Sequence, residues 1–233
     1  CGAPLQRNPD EAAHYCPNTY GCPPQIKGRI EHFVSRKAMN INIAEATIDQ
    51  LFRHKLIGNI ADLYKLEFMQ LVMLERFAEK SANNLLSSIE ESKKAPFPRV
   101  LYALGIRFVG ETVAKKLARH YGSLEKIISA SAEELMNVDE VGERIAGSIV
   151  EYFAHPANKE IVERLEVAGL CFTIREEETG HVSRKLEGKS FVISGTFVSF
   201  SRDELKSLIE QNGGKNMSGI SSGTRYLVAG NKP

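Results

Sequence analysis

The sequence lacks the features that mark several common classes of protein. No apolar run approaches the roughly eighteen residues that a membrane-spanning helix needs, which excludes a transmembrane protein. No basic segment precedes an apolar one at the start, so no secretory signal is visible. Four cysteines are too few to staple a scaffold of 233 residues with disulfides. These absences leave a soluble globular protein, and 42% hydrophobic residues are enough to bury a core.

The sequence also lacks an excess of charge of one sign. It carries 30 basic and 29 acidic residues, a formal net charge of +1. This balance argues against a protein that binds nucleic acid by bulk charge, as histones do, but leaves binding through a few local contacts open. Only residues 184–233 are basic, with eight basic and four acidic residues, and we interpret these dispersed charges as a solvated surface.

The distribution of residue types divides the chain into three segments. Cysteine, proline and asparagine dominate residues 1–25, which excludes a long helix there. Helical periodicity follows to about residue 153, with a further helix over 159–167, a strand over 170–174 and an acidic linker at 176–180. Strands are predicted at 190–194 and 225–228, with a helix that begins at Ser201 between them. The chain starts without methionine and ends just after a predicted strand, so we expect it to be part of a longer protein.

A repeat runs through the helical segment. Its four copies, called copies one to four, are residues 43–51, 77–85, 109–117 and 141–149, and their starts are 34, 32 and 32 residues apart. Each reads as a large apolar residue, a small residue, Glu, two variable positions, an apolar residue, two variable positions, and Leu or Ile. The small residue is expected in a turn that leads into a helix, the Glu in its first turn, and the later apolar residues on its buried face. A further apolar residue precedes the turn in the last three copies: Leu74, Ile106 and Val138.

Each copy is therefore predicted to be a helix, a short hairpin and a second helix. Backbone N–H groups at such a hairpin lack helical partners, and a glycine there lets a phosphate approach closely. The alternative is an α-solenoid whose helix pairs pack only on one another. A single copy would favour the solenoid, whereas four copies in register favour phosphate binding.

The repeat resembles the helix-hairpin-helix family, whose consensus has an apolar residue, a Gly–apolar–Gly hairpin and an alanine four residues later. The resemblance implies that the hairpin amides bind phosphates of duplex DNA in the minor groove without reading sequence. The first hairpin glycine is absent from every copy, and Arg76, Phe108 and Glu140 replace it in copies two to four. The second glycine is kept in copies three and four, and copy one is a residue short.

The candidate DNA contacts lie in or next to the hairpins of copies two to four. Copies three and four are expected to dominate because they keep glycine and have basic neighbours, copy two to help, and copy one to be mainly structural. The candidates are Phe77, Ala78, Lys80, Arg107, Val109, Gly110, Glu111, Thr112, Lys115, Lys116, Val141, Gly142, Glu143 and Arg144.

Three of the cysteines bracket the turn-rich start of the chain. Cys1, Cys16 and Cys22 are candidate ligands of a structural Zn²⁺, which takes four soft ligands in a tetrahedron. Cys16 and Cys22 would form one pair, and Cys1 would belong to another pair whose partner is missing. A disulfide and a metal-free cysteine cluster remain alternatives, and His14 could substitute as a ligand. Cys171 is expected to be a buried core residue.

The last segment resembles the start of a BRCT domain. It carries a strand with a Gly-Thr turn at 190–196, a helix over 201–210, Gly213-Gly214 and a Tyr-Leu-Val-Ala-Gly strand at 226–230, in that order. The fold class implied is mainly α: tandem helix-hairpin-helix repeats, preceded by a small cysteine-rich finger and followed by a truncated α/β BRCT domain. The predicted domains are a partial four-cysteine zinc finger at 1–25, a helix-hairpin-helix domain with its linker at 26–180, and the BRCT part at 184–233.

This order of segments resembles the C-terminal half of the bacterial NAD-dependent DNA ligases, and residues 30–41, 77–82 and 104–114 are similar to segments of that family. The resemblance implies that the whole enzyme uses NAD and Mg²⁺ to seal nicks in duplex DNA in replication and repair. An active-site lysine would lie in an adenylation domain upstream of this chain, so no catalytic residue is assigned here. The resemblance further implies nicked duplex DNA and the upstream adenylation and OB domains as partners, no membrane, a monomer and a cytoplasmic location. The alternative is a non-catalytic repair scaffold or a nuclease-associated DNA-binding module.

Overall fold

The structure is a computed structural model that describes residues 1–7, 12–75, 77–174, 184–197, 200–217, 219–220 and 223–231. The chain forms two compact units, Cys1–Ile174 and Arg175–Pro233. The described part is mainly helical, with short strands at the start and in the second unit, as the sequence predicts. The predicted linker at 176–180 lies outside the described residues.

The first unit opens with a small turn-rich segment. Strands β1 (Gln6–Arg7) and β2 (His14–Tyr15) pair in antiparallel fashion, Gln6 opposite Tyr15. Tyr20 fixes this segment to the helices: its ring stacks on that of His155 at 4.1 Å between centroids, and the Arg29 guanidinium lies 5.1 Å from the same ring. Burial raises the pKa of Tyr20. The segment therefore belongs to the helical unit and is held by side-chain packing.

Ten α-helices and a 3-10 turn form the rest of the described part of the first unit. They are α1 (Pro23–Val34), α2 (Glu45–Arg53), the 3-10 turn (Ile60–Lys65), α3 (Phe68–Val72), α4 (Glu79–Ser92), α5 (Phe97–Ala103), α6 (Glu111–Tyr121), α7 (Leu124–Ser129), α8 (Ala132–Leu135), α9 (Glu143–Ala154) and α10 (Pro156–Val167). Pro156 occupies the start of α10, where its missing N–H costs nothing.

The four repeat copies form four helix pairs. The pairs α1–α2, α3–α4, α5–α6 and α8–α9 are each in contact, and the second helix of every pair begins at the repeat's glutamate. The sixth and ninth positions of all four copies are buried: Ile48, Leu51, Ala82, Leu85, Ala114, Leu117, Ala146 and Ile149. The prediction of paired helices with an inward apolar face is therefore confirmed.

A continuous apolar core joins the four pairs. Phe33 of α1 and Phe97 of α5 are fully buried and are among its largest side chains. The His32 ring also holds α1 to α5, since its Nε2 lies 2.9 Å from the Tyr102 carbonyl oxygen and the two rings meet edge to face. Gly105 follows in the left-handed region at φ 68°, where the chain turns towards the hairpin of copy three.

One predicted strand of the first unit is absent. Residues 170–174 form a single isolated bridge, between Thr173 and Ser123, where a full strand was expected. Leu170 and Phe172 are buried, but Cys171 is only half-buried and its Sγ lies 3.0 Å from the Thr173 carbonyl oxygen. The prediction of a buried core cysteine was wrong, because among the described residues this segment pairs only with the turn at residues 122–124 and has no sheet beside it to cover both of its faces.

The second unit is a small α/β arrangement. Strands β3 (Ser190–Ser194), β4 (Lys215–Asn216) and β5 (Tyr226–Ala229) form a parallel sheet in the order β4-β3-β5, and α11 (Arg202–Gln211) packs against β3 and β4. Ser201 caps α11 in a capping box with Glu204, as the sequence predicts. The strand β4 was not predicted, because two residues carry no readable alternation.

Candidate nucleic-acid interface

The hairpins of copies two, three and four share one backbone turn. In copies three and four the N–H groups of Val109 and Val141 donate to the carbonyls of Ile106 and Val138, both at 3.0 Å. Phe77 donates to the Leu74 carbonyl in the same way at 3.2 Å. In each of these hairpins a backbone hydrogen bond therefore joins the apolar residue before the turn to the one after it and closes the turn.

The residue at the tip of the turn is left-handed in copies three and four. Phe108 has φ 65° and Glu140 has φ 68°. These are the positions at which the helix-hairpin-helix consensus has its first glycine, and glycine is the residue that adopts this conformation without strain. Phe108 and Glu140 keep the turn at a cost of about 1 kcal/mol or more each. Arg76, the corresponding residue of copy two, lies outside the described residues.

The helices that follow the hairpins begin without a side-chain cap. Their N-cap residues are Ala44, Ala78, Gly110 and Gly142, and none of them carries a side chain that can accept a hydrogen bond. In contrast, the N-caps of α7, α8, α10 and α11 each accept a hydrogen bond from a backbone N–H: Ser123, Ser131, His155 and Ser201. The first N–H groups after the hairpins therefore remain available to an anion from outside the chain.

Nothing within the chain requires glycine at the N-caps of α6 and α9. Gly110 and Gly142 have φ −80° and −92°, which any residue can adopt. A Cβ at either position would meet no heavy atom within 4 Å. Both residues are exposed, as are Glu111, Thr112 and Glu143 beside them, whereas Val109 and Val141 are buried. The open space at these caps is the space that a bound phosphate would fill.

The Phe108 ring connects the hairpins of copies three and four. The guanidinium of Arg107 lies 4.7 Å from its centroid, and that of Arg144, in the first turn of α9, lies 4.1 Å from it. Phe108 is 40% exposed, so the ring supports both arginines at the surface. Contacts of this kind hold a guanidinium while leaving its N–H donors able to bind phosphate.

The three lysines among the predicted DNA contacts lie in different electrostatic surroundings. Lys115 pairs with Glu111 at 2.8 Å, and Lys116 pairs with Asp139 at 2.6 Å and with Glu140 at 2.9 Å. The hydrogen bonds to Asp139 and then to Glu140 raise the pKa of Lys116, and they offset its charge. Lys80 is exposed on α4, beside the exposed Ala78 and the half-buried Phe77. The carboxylates paired with Lys115 and Lys116 therefore offset part of the positive charge at copies three and four.

Copy one has a different turn. We predicted that it is a residue short, and its Ile43 N–H donates to the Ile41 carbonyl, two residues back, at 3.0 Å, whereas the corresponding bonds of copies two to four reach three residues back. Its left-handed residue, Asn40 at φ 54°, lies five residues before the first helical residue, Glu45, against three in copies three and four. The Asn42 N–H donates to the Ser88 hydroxyl at 3.1 Å, so a side chain of α4 satisfies one of the backbone donors of this turn. The hydrogen bond between the two apolar residues therefore spans one residue fewer than in the other copies, which agrees with a shortened hairpin.

The three N-terminal cysteines come together. The Sγ atoms of Cys1, Cys16 and Cys22 lie within 4.8 Å of one another, and the first two are 3.4 Å apart. A tetrahedral Zn²⁺ with Zn–S bonds near 2.3 Å needs sulfurs about 3.8 Å apart, so these three fit three of its four positions. The Gln25 backbone N–H is the main cause of a lowered pKa of the Cys22 thiol. All four cysteines of the chain are free, so no disulfide competes for them.

Sequence reasoning missed one residue of this surface. Phe108 stands out as an aromatic residue at a glycine position beside Arg107, which is a usable signal. Its contact with Arg144 spans 36 positions and depends on how the turn before α6 lies against the start of α9, which the sequence does not display.

Family models match three segments of the chain. The helix-hairpin-helix motif matches residues 99–162, the BRCA1 C Terminus (BRCT) domain matches residues 181–233, and the NAD-dependent DNA ligase C4 zinc finger domain matches residues 1–23. The first of these covers copies three and four with their helices, the pair in which the hairpin glycines are kept. None of the helices in the described part of the chain is long and apolar enough to cross a membrane.

Curated relatives match the chain along nearly its whole length. It is 56% identical over 230 residues to a DNA ligase of Parabacteroides distasonis, and 54% identical over 231 residues to a DNA ligase of Phocaeicola vulgatus. A DNA ligase of Christiangramia forsetii is 56% identical over 231 residues. Each alignment covers 99% of this chain, and the chain spans about 35% of the length of each relative.

Proposed function

Since this chain combines the zinc-finger, helix-hairpin-helix and BRCT segments found in the NAD-dependent DNA ligases, we propose that it is the C-terminal, DNA-binding region of such a ligase. Its part in the reaction is to hold the duplex by its phosphates while another region performs the chemistry. We divide it into a zinc finger at 1–25, a helix-hairpin-helix domain at 26–180 and the beginning of a BRCT domain at 184–233.

One observation carries this function: the pair of open, glycine-capped helix N-termini at Gly110 and Gly142, with arginines fixed beside them. Each supplies backbone N–H donors at the positive end of a helix, and the missing Cβ lets a phosphate oxygen reach them. Arg107 and Arg144 add charge between the two hairpins. Contacts of this type position a protein on DNA without selecting a sequence, as nick sealing at any site requires.

The whole protein is proposed to seal nicks in duplex DNA during replication and repair, with NAD and Mg²⁺ as cofactors, as a cytoplasmic monomer. Adenylation and OB domains of the same chain would hold NAD and the reacting phosphate. Within the present residues nothing resembles the adenylation motif, so the reactive lysine is assigned to the upstream region.

The cysteine cluster is proposed to bind Zn²⁺ through Cys1, Cys16 and Cys22, with a fourth ligand from outside this group. Because Cys22 is the N-cap of α1, the ion would fix the start of the helical unit to the finger. Zinc analysis of the purified chain tests this, with one ion per chain expected and Cys16→Ser as the variant that loses it.

Binding of the 233-residue chain to a nicked duplex, measured over a range of salt concentrations, tests the DNA-binding role. Gly110→Asp and Gly142→Asp place a carboxylate at the N-cap, where it accepts the N–H donors that a phosphate would otherwise use. Each variant should weaken binding and flatten the salt dependence by about one unit of slope, for one lost phosphate contact. Stability should hold or rise by a few tenths of a kcal/mol, because aspartate is at least as good an N-cap as glycine.

Two further variants serve as controls. Ser123→Asp adds the same charge at the N-cap of α7, which is not a hairpin helix, and should leave binding nearly unchanged. Ala44→Asp should do much less than the glycine variants, because copy one has a different turn. If Ala44→Asp weakens binding as much as Gly110→Asp while both remain folded, the ranking of the hairpins is wrong; if no variant changes binding, the hairpins are not the DNA contacts.

A further inference from the structure

A small cavity lies where the turn-rich segment at the start of the chain meets the helices. It has a volume of about 210 Å³ and is lined by Tyr20 of that segment, by α1, by the start of the 3-10 turn, and by α9 and α10. Sites for drug-sized ligands measure roughly 300–1,000 Å³. This cavity has room for about seven water molecules at ~30 Å³ each, so its size suits a small metabolite and is too small for a nucleotide.

The interior of the cavity is apolar, and the polar groups in its wall are satisfied by the chain itself. The Tyr152 hydroxyl donates to the Leu104 carbonyl at 3.3 Å, and the amide nitrogen of Asn158 donates to the Tyr152 carbonyl at 2.8 Å. Asn158 is 5% exposed, and burial raises the pKa of Tyr20 while a hydrogen bond with Asn158 lowers it. The interior therefore suits an aliphatic group better than it suits water, which needs several polar partners. The aliphatic wall consists of Ile26, Ile30, Ile60, Leu104, Ala157 and Ile161.

Two opposite charges also line the cavity, Arg29 on α1 and Glu160 on α10. The Arg29 guanidinium donates from Nη2 to the Thr19 carbonyl and lies 5.1 Å from the centroid of the Tyr20 ring, so it is held in place by groups that do not neutralise it. Glu160 is exposed. Among the residues that the structure describes, neither Arg29 nor Glu160 forms an ion pair. A cation and an anion beside one apolar cavity are the complement of a small zwitterion.

We propose that the cavity binds a free aliphatic α-amino acid. Its side chain would lie among the isoleucines, its carboxylate on Arg29, and its ammonium group beside Glu160. A guanidinium presents paired N–H donors that match a carboxylate, which makes Arg29 the anchor of the ligand. The ligand would contact the turn-rich segment, α1 and α10 together, so it would hold the segment to the helices. This site is separate from the proposed DNA contacts.

The test is titration of the 233-residue chain with L-leucine in the absence of DNA, followed by calorimetry and by thermal unfolding. We expect saturable binding of one leucine per chain and an unfolding midpoint that rises with leucine concentration. Three analogues each lack one feature: isocaproate lacks the ammonium group, isoamylamine lacks the carboxylate, and glycine lacks the side chain. Each should bind about tenfold more weakly or worse, as expected when one charge-assisted hydrogen bond or the buried side chain is lost.

Two variants and a matched control locate the binding. Glu160→Gln should weaken leucine binding about tenfold and leave isocaproate binding unchanged, because isocaproate has no ammonium group. Glu163→Gln removes the same charge from an exposed position of α10 outside the cavity and should change neither. Ala157→Leu fills the cavity with an aliphatic side chain and should abolish leucine binding, with folding checked by circular dichroism.

Three outcomes would overturn the proposal. If the unaltered chain shows no saturable leucine binding, the cavity holds only water. If glycine binds as well as leucine does, the aliphatic wall does not bind the side chain. If Glu160→Gln binds leucine as Glu163→Gln does, or if folded Ala157→Leu still binds it, the ligand lies elsewhere. Because no DNA enters the experiment, its failure would leave the DNA-binding role untouched.

Discussion

At the scale of single residues, Phe108 has two roles that oppose each other. Its left-handed backbone costs stability that glycine would not, while its ring holds Arg107 and Arg144 at 4.7 and 4.1 Å. An exposed cation–π contact contributes about 0.5–1 kcal/mol, so the two contacts and the strain are of similar size. The residue is therefore nearly neutral for stability, and its contribution lies in the position of the arginines.

We expect Phe108→Gly to leave the free energy of unfolding within about 1 kcal/mol of the original, because relief of strain offsets the lost ring contacts. Duplex affinity should fall several-fold, since the arginines lose the surface that orients them. Urea unfolding and DNA titration measure the two quantities. Phe108→Tyr keeps the ring and should bind as the unaltered chain does; equal affinity of the glycine and tyrosine variants would contradict this role.

At the scale of elements, the 3-10 turn is tied to α4 by a polar pair within the core. The Tyr64 hydroxyl lies 2.8 Å from the Ser92 hydroxyl, and buried Ser92 donates to the Ile89 carbonyl at 2.6 Å. Burial raises the pKa of Tyr64 from 10.0 to about 12. The neutral phenol is therefore favoured in the folded state, and the contact between these elements depends on it.

This raised pKa predicts an alkaline loss of stability. The buried phenol of Tyr64 makes its full contribution to the free energy of unfolding below pH 10.0, because the phenol of the unfolded chain is also protonated there. This contribution is lost as the pH rises from 10.0 through about 12. The loss amounts to about 3 kcal/mol for a shift of this size. Tyr64→Phe should be about 1 kcal/mol less stable near neutral pH, yet fall less steeply across this window. Urea unfolding over a pH series decides it, and parallel curves for the two proteins would contradict the assignment.

A second buried tyrosine, Tyr152, also contributes to the alkaline loss of stability, so Tyr64→Phe alone does not remove it. Its pKa is also raised, first by burial, so the Phe variant should keep part of the alkaline dependence. Tyr152→Phe with Tyr64→Phe should remove more of it than either change alone.

At the scale of the whole molecule, the two units differ in how much apolar surface they bury. In the described part of the second unit the buried hydrophobic residues are Phe191, Val192 and Ile209. Tyr226 and Leu227 of β5 are 45% and 52% exposed, and Ile220 is 74% exposed. The first unit, in contrast, has one core that runs through all four helix pairs.

We expect this difference to appear in hydrogen exchange. Backbone amides of β3 and β5 should exchange faster than those of α6 and α9, because few apolar contacts oppose local opening of the small sheet. Mass spectrometry of exchanged peptides gives both rates in one experiment. Equal protection would mean that another copy or a partner covers the exposed apolar residues of the second unit.

The chain as a whole should not react with NAD. It spans about 35% of the length of the relatives it matches, and we assign the adenylation chemistry to the remainder. Incubation with NAD labelled in its adenylate, followed by denaturing electrophoresis, should leave no label on the protein. A covalent adenylate on this chain would overturn the assignment of the reactive lysine to the upstream region.

The sequence by itself determined the repeat and the caps. Helix register and N-cap identity depend on residues a few positions apart, so the 32- to 34-residue spacing was enough to predict which side chains are buried and where the hairpin helices begin. The capping box at Ser201 followed from the same local rule. The strand predicted over residues 170–174 was wrong, because an apolar run predicts a strand without showing whether a neighbouring strand exists.

Only the tertiary structure decided which charges act together. Lys116 looked like a DNA contact in the sequence, but the turn between α8 and α9 places Asp139 and Glu140 against this residue of α6. Arg144 reaches Phe108 across 36 positions, and Arg99 reaches the turn after α1 across more than 60. The physical reason is that charge neutralisation and pairing depend on distances of a few ångströms between helices. Those distances are set by how the buried faces pack, a relation that spacing along the chain does not contain.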